Sequence, residues 1–244
     1  FTNVPNMTVS RGDHSATLLN DGKVFISGGY GSSNYLNSTE IYDPVANTFT
    51  QKRSMSSRRA YHSSILLNDG TVLIVGGYSS TAYLNTAEIY NPSTNLYTAT
   101  SNNMSDARGY PTLTLLNNGK VLIVGGANQR TGYLQPTYTA ELYDPTTKTF
   151  SNLPSLPGWM YYHTATLQPD GLVLITGGQA TNGGVEIQTA ILFDPSTNQF
   201  ITGVTPMTTG RAWHSATLLP NGKTLIVGGY SGGSARTAEI YDPN

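Results

Sequence analysis

The chain has 244 residues, 13 Lys and Arg against 14 Asp and Glu, 26 glycines and no cysteine. A formal charge of −1 with 11% charged residues gives no cationic footprint for nucleic acid or an anionic membrane. The apolar runs, such as 72–75, fall far short of the ~20 residues that span a bilayer. Without cysteine there are no disulfides, thiolate metal sites or thiol nucleophiles. The length suits one large domain or two small ones, and a composition rich in Ser, Thr, Asn and Gly leans towards an extracellular setting.

Along the chain, the first element is the run His14-Ser15-Ala16-Thr17-Leu18-Leu19, which turns at Asn20-Asp21-Gly22 and returns as residues 23–27 to end on Gly28-Gly29. An Asn-Asp-Gly break between two β-rich runs signals a hairpin. A third strand carries Glu40-Ile41-Tyr42 and turns at Asp43-Pro44, and a fourth carries Thr48-Phe49. The order then recurs. Gly-Gly returns at 76–77, 125–126, 177–178 and 228–229, and a Glu-Ile-Tyr-Asp-Pro-like string follows each pair, ending at Pro44, Pro92, Pro145, Pro195 and Pro243. His14, His62, Pro111, His163 and His214 stand 14 residues before the first glycine of each pair. No helical period competes with these runs, so the chain reads as all-β, with five copies of one unit of four short strands, a to d.

These units resemble kelch repeats over the whole chain, differing in Phe49, Tyr97, Phe150, Phe200 and Phe1 where kelch units often carry Trp, and in numbering five rather than six or seven. The resemblance implies a five-bladed β-propeller of four-stranded antiparallel blades, with residues 1–244 as one domain. Strand a would be innermost, with the a–b and c–d turns on one face and the b–c and d–a connections on the other. Phe1 lies 13 residues before His14, as Phe49 does before His62. The expectation is that Phe1 to about Val4 closes the ring as strand d of the last blade, paired with Glu239-Ile240-Tyr241.

The distance from the His slot to Gly-Gly is constant, whereas the count from Gly-Gly to the Glu slot runs 12, 12, 16, 14 and 11. Variation therefore sits in the b–c loops, and binding residues tend to occupy variable loops on a rigid scaffold. Eleven of the 16 tyrosines and both tryptophans fall in b–c or d–a connections or at the start of strand a. Tyr30, Tyr78, Tyr133 and Tyr230 belong to the b–c set, and Tyr61, Tyr110, Tyr162, Trp159 and Trp213 to the d–a set. Rings with a polar tip suit stacking on sugars or gripping peptides. Arg130 and Glu186 are charges on the same face that the repeat does not explain.

Other repeated charges read as scaffold. Arg11, Arg59, Arg108 and Arg211 precede the His slots, and Glu40, Glu88, Glu141 and Glu239 recur in strand c. The fourth unit replaces both at once, with Met160 and Ile191. An apolar pair can replace a buried ion pair at little loss, whereas a lone buried charge costs several kcal/mol, so buried Arg–Glu pairs are expected within the other four units. The histidines read as packing residues, and no carboxylate set accompanies them. Arg11-Gly12-Asp13 spells an integrin-type tripeptide, but Arg11 is a repeat slot.

The reading is a non-catalytic propeller that binds a glycan through the Tyr/Trp-rich face, without cofactor or metal, as a monomer or as part of a larger chain. Two alternatives stand beside it. One is a protein-interaction module of a larger secreted protein. The other is a sugar-active enzyme resembling kelch mutarotases, which would use Glu186 and Arg130. A copper enzyme of the galactose-oxidase kind is ruled out by the missing cysteine.

Overall fold

Short β-branched and aromatic runs between glycine turns favour antiparallel ladders over any helix. The computed structural model describes residues 1–130, 133–180 and 184–243, and it contains 21 strands and, among the described residues, no helix. The strands fall into two units, one of residues 1–109 with 147–149, the other of 110–146 with 150 onward.

The first unit holds two sheets. One is β1 (Ser15–Leu18), β2 (Val24–Ser27), β3 (Thr39–Asp43) and β4 (Thr48–Lys52); the other is β5 (Ser63–Leu66), β6 (Val72–Val75), β7 (Ala87–Asn91) and β8 (Leu96–Ala99). The second begins with β9 (Thr112–Leu115), β10 (Val121–Val124), β13 (Ala140–Asp144) and β14 (Thr149–Asn152). A two-stranded hairpin, β11 (Ala127–Arg130) and β12 (Tyr133–Pro136), interrupts that sheet. Next comes β15 (Thr164–Leu167), β16 (Val173–Thr176), β17 (Ala190–Asp194) and β18 (Gln199–Ile201), and last a three-stranded sheet, β19 (Ser215–Leu218), β20 (Thr224–Val227) and β21 (Ala238–Tyr241).

Register repeats with the sequence. Ile26 faces Glu40, Ile74 Glu88, Ile123 Glu141, Ile175 Ile191 and Ile226 Glu239. The c–d turns are held by a carboxylate or amide oxygen that accepts backbone N–H groups two residues on, as Asp43 does from Val45 at 2.9 Å and Asn91 from Ser93 at 2.9 Å. The turn then lays Phe49 opposite Tyr42, Tyr97 opposite Tyr90 and Phe200 opposite Phe193.

Gly-Gly marks where backbones meet. Gly28 and Gly29 both have positive φ, 58° and 99°. A Cβ on Gly29 would lie 2.5 Å from the Gly12 carbonyl of its own sheet, and one on Gly28 would run into the Arg59 carbonyl and lie 2.8 Å from His62 Cε1 of the next. The first glycine thus seats the following sheet and the second seats its own strand a; no other residue satisfies both. Apolar residues fill the space between successive sheets. In the first unit Phe25 stacks on Tyr90 at 4.4 Å beside Ile41, Met55, Val72 and Ile74. In the second, Leu142, Leu156 and Met160 pack with Val173, Ile175, Ile191 and Phe193. Full burial of such side chains is worth roughly 1.5–3 kcal/mol each.

One expectation fails. Residues 1–7 form no strand, Phe1 is fully exposed, and the fifth sheet ends at β21. Each of β4, β8, β14 and β18 is tied to its strand c by a tight turn, so the pair closes at almost no entropic cost. Phe1 to Val4 has no such tether, and pairing a segment with a strand more than 200 residues later in the chain, without a connecting turn, carries a larger loop-closure penalty.

Candidate functional site

The residue before each His slot, namely Asp13, Tyr61, Tyr110, Tyr162 and Trp213, adopts a left-handed backbone with φ between 52° and 59°. That conformation costs roughly 1–2 kcal/mol for a non-glycine residue. The cost is met by bonds between neighbouring slots: Tyr61 N–H donates to the Asp13 carbonyl at 3.1 Å, and Trp213 N–H to the Tyr162 carbonyl at 3.0 Å. In the second unit the rings form a ladder. Tyr110 meets Tyr162 at 4.8 Å, Tyr162 stacks on Trp213 at 4.2 Å, and Trp213 meets Tyr230 edge-on at 6.0 Å. Trp213 and Tyr230 are 52% and 44% exposed, so the end of the ladder offers free ring faces. Tyr161, another of the eleven loop tyrosines, is buried beside Tyr162.

The first unit has its own series. Bridges Tyr30↔Tyr35 and Tyr78↔Tyr83 fold each b–c loop back on itself. They set Tyr30, Tyr35, Tyr78 and Tyr83 in successive ring contact at 5.0, 5.2 and 4.9 Å. Burial and the neighbouring tyrosines raise the Tyr35 hydroxyl above its ordinary pKa. Tyr61 is half-buried. Trp159 forms a separate stacked pair with Tyr138 at 6.2 Å. Arg130 and Tyr133 face each other in register at the end of the β11–β12 hairpin, and their side chains lie outside the described residues.

Beside the exposed end of the second ladder lies a cavity of about 970 Å³, bounded by 184–189, Pro206, Gly210 and 230–232. Glu186 stands in its wall. Its Oε1 accepts Gln179 Nε2–H at 2.9 Å and its Oε2 accepts the Gly232 N–H at 3.2 Å. Burial would raise this carboxyl, but the Gln179 amide and backbone donors hold it below the usual carboxylate range. Glu186 is therefore ionised at neutral pH, with each oxygen retaining acceptor capacity. Gly210 makes room for this loop, since a Cβ there would strike the Glu186 backbone. Gln179, which fixes the carboxylate, has no signal in the sequence beyond its loop position.

The scaffold charges behave differently. Arg11 reaches Glu40 at 2.6 Å, Arg59 reaches Glu88 at 3.0 Å and Arg211 reaches Glu239 at 2.8 Å, all with buried guanidiniums. Each arginine also donates to two backbone carbonyls, as Arg59 does to Gly76 and Thr86. Each glutamate accepts two N–H groups from the loop preceding the arginine, as Glu88 does from Ser56 and Ser57. Arg108 and Glu141 are likewise buried, and Met160 and Ile191 share one apolar cluster. All four arginines are buried in the scaffold.

His62, His163 and His214 donate to or accept from hydroxyls: Ser27 at 2.9 Å, Thr112 at 2.9 Å, and Thr164 and Thr176 at 3.0 and 3.1 Å. Burial pushes them down to about 3, about 3 and about 4, with Arg59 and Arg211 adding repulsion at His62 and His214. They are neutral struts between sheets. Among the described residues no group of three or more His, Asp and Glu is placed to hold a metal ion.

The fold so described matches a solved structure titled "Structure of YjhT" with a TM-score of 0.75 at 15% identity, over 95% of this chain and 84% of that one. A search of curated proteins returns no match. A family model described as the Attractin/LZTR1 beta-propeller matches residues 2–237. On that match, nearly end to end and over the repeated sheets described above, the chain belongs to the Attractin/LZTR1 β-propeller family, of kelch type.

Proposed function

We propose that the chain is a non-catalytic binding propeller whose ligand is a glycan, held at the end of the second aromatic ladder by Trp213, Tyr230 and Glu186. The observation that carries this reading is the meeting of exposed ring faces with an ionised carboxylate at the mouth of one cavity. A sugar presents both partners at once, with C–H faces that stack on aromatic rings and hydroxyls that donate to a carboxylate. The lowered Glu186 pKa favours an acceptor over a proton donor, since a general acid at neutral pH needs a raised one. Tyr30, 43% exposed at the edge of the other ladder, favours a second reading, a flat aromatic contact for a protein partner.

The test is a glycan array with the 244-residue chain, followed by calorimetry on any hit with Trp213→Ala, Glu186→Gln and Tyr30→Ala. Binding weakened at least tenfold by the first two and unaffected by the third supports the glycan site. Loss on Tyr30→Ala alone moves the site to the first unit. No glycan bound at millimolar concentration refutes the reading.

A further inference from the structure

We propose that the sugar taken at Glu186 is an amino sugar, with its free ammonium seated on the Glu186 carboxylate and its ring against Tyr230. This rests on the glycan reading above and narrows it to one chemical class.

The chain is nearly neutral as a whole, but its charges are unevenly spread. Residues 149–210 contain no Lys or Arg and three carboxylates, Asp170, Glu186 and Asp194. The fourth sheet, β15 to β18, falls entirely inside that stretch. Asp170 and Asp194 have structural work at the a–b and c–d turns, where each accepts the backbone N–H two residues on, from Leu172 at 3.0 Å and from Ser196 at 2.8 Å. Glu186 stands on the b–c loop between β16 and β17 and closes no turn of that kind.

Most repeat carboxylates are met by cations. Glu40, Glu88 and Glu239 carry arginines, and Asp43, Asp144 and Asp242 lie 3.4, 3.2 and 2.6 Å from Lys23, Lys120 and Lys223. Glu186 is held instead by neutral donors, the Gln179 amide on one oxygen and the Gly232 N–H on the other. The described residues lining its cavity include no Lys or Arg, and Arg236, exposed farther along the loop that carries Tyr230, is not among them. Two neutral donors fix the direction of the carboxylate and leave its full charge for whatever enters the cavity.

An ammonium answers that charge best, because a hydrogen bond between two ionised groups is about twice as strong as one between neutral groups. The Tyr230 ring in the same wall adds attraction, since a cation is drawn to an aromatic face. An acidic sugar would bring a second anion to a wall without a cation, which selects against it. N-acetylation would put a neutral amide where the charge belongs. A simple amine leaves most of the cavity of about 970 Å³ unfilled, whereas a sugar ring occupies it and finds neutral partners for its hydroxyls at Gln188 and Ser231.

Calorimetry with the 244-residue chain compares the methyl glycosides of glucosamine, galactosamine and mannosamine with their N-acetyl and parent hydroxyl forms, so that only the C2 substituent changes. For at least one ring the free amine should bind about tenfold tighter than both counterparts, the step expected when a charge-assisted bond replaces a neutral one. Glu186→Gln should bring the three forms to parity. In the unaltered chain the preference should shrink severalfold between about 0.05 and about 0.5 M NaCl, a readout that does not depend on the variant folding. A neutral or N-acetylated form that binds at least as tightly as the amine, and is lost in Trp213→Ala, overturns the amino-sugar assignment while the glycan reading stands. A preference that survives in folded Glu186→Gln moves the ammonium off this carboxylate and overturns it too. Hexylamine binding as tightly as the amino sugar overturns both, because the ring then contributes nothing. No binding of any of these glycosides at millimolar concentration overturns the assignment, and the glycan array decides separately whether the broader reading survives.

Discussion

Lowering the pH from about 7.5 to 5 should remove a large part of the stability, through three histidines that the fold keeps neutral. His62 and His163 have pKa values pushed down to about 3 by burial, and His214 to about 4, against 6.5 in the unfolded chain. Between those limits the unfolded chain binds protons that the folded one refuses. Stability is therefore fully present above pH 6.5 and is lost as pH falls towards the folded values. At pH 5 the unfolded chain has gained about 1.5 pH units of protonation free energy per histidine. At 1.36 kcal/mol per unit this is about 2 kcal/mol each and about 6 kcal/mol for the three. Glu40 and Glu239, held below the usual carboxylate range despite burial by the N–H groups of Thr8 and Thr208 and the arginines, stay ionised at pH 5 and add their loss only at lower pH. Domains are stable by about 5–15 kcal/mol in total, so the urea midpoint should fall by about 2 M, taking about 3 kcal/mol per molar for a chain of this size. His163→Gln should reduce that dependence by about a third, whatever it does to stability at pH 7.5. A urea midpoint flat from pH 7.5 to 5, or a slope that His163→Gln does not change, would refute the reasoning.

Arg59→Met alone should cost about 3–5 kcal/mol by stranding Glu88, and the double variant with Glu88→Ile should recover most of it, copying Met160 and Ile191; chemical denaturation of the three variants checks this. Gly29→Ala should cost more than 2 kcal/mol, because the new Cβ meets the Gly12 carbonyl at a φ of 99°, whereas Gly22→Ala, with nothing within 4 Å, should cost about 1 kcal/mol from its positive φ alone. Removing residues 1–4 should leave the thermal midpoint within about one degree, since they form no strand and Phe1 packs on nothing; a drop of several degrees would restore the outer-strand role.

The repeated sheets were legible because each carries its own local instructions, from Asn20-Asp21-Gly22 for the first turn to Asp43-Pro44 for the last. The buried Arg–Glu pairs were legible for another reason: the fourth unit performs the double substitution itself, at Met160 and Ile191. What depended on long-range geometry was not. The β11–β12 hairpin lay hidden in the longest b–c loop, since its pairing runs through Ala127, Asn128 and Gln129, residues without strand preference. Phasing placed Phe1 on an outer strand but carried no information about the entropy of getting there. The aromatic face was foreseen as one set. Its rings contact one another as a ladder within each unit, with a separate Tyr138–Trp159 pair, an order set by backbone bridges that composition cannot show. Glu186 was singled out as an unexplained charge, but its partner Gln179 was not, because an amide seven residues away has no pattern to betray it.

The left-handed slot before each histidine slot has a consequence for how such a surface can change. Its conformation is imposed by the closing of one backbone on the next, and the side chain it carries is Asp13, Tyr61, Tyr110, Tyr162 or Trp213 without any change in φ beyond a few degrees. Scaffold and contact are thereby separated at a single residue. The main chain is spoken for, while the side chain answers only to whatever it touches. Such positions work as sockets into which chemistry can be plugged one unit at a time, and swapping Trp213 for Tyr or His would retune recognition with little disturbance to the sheets beneath.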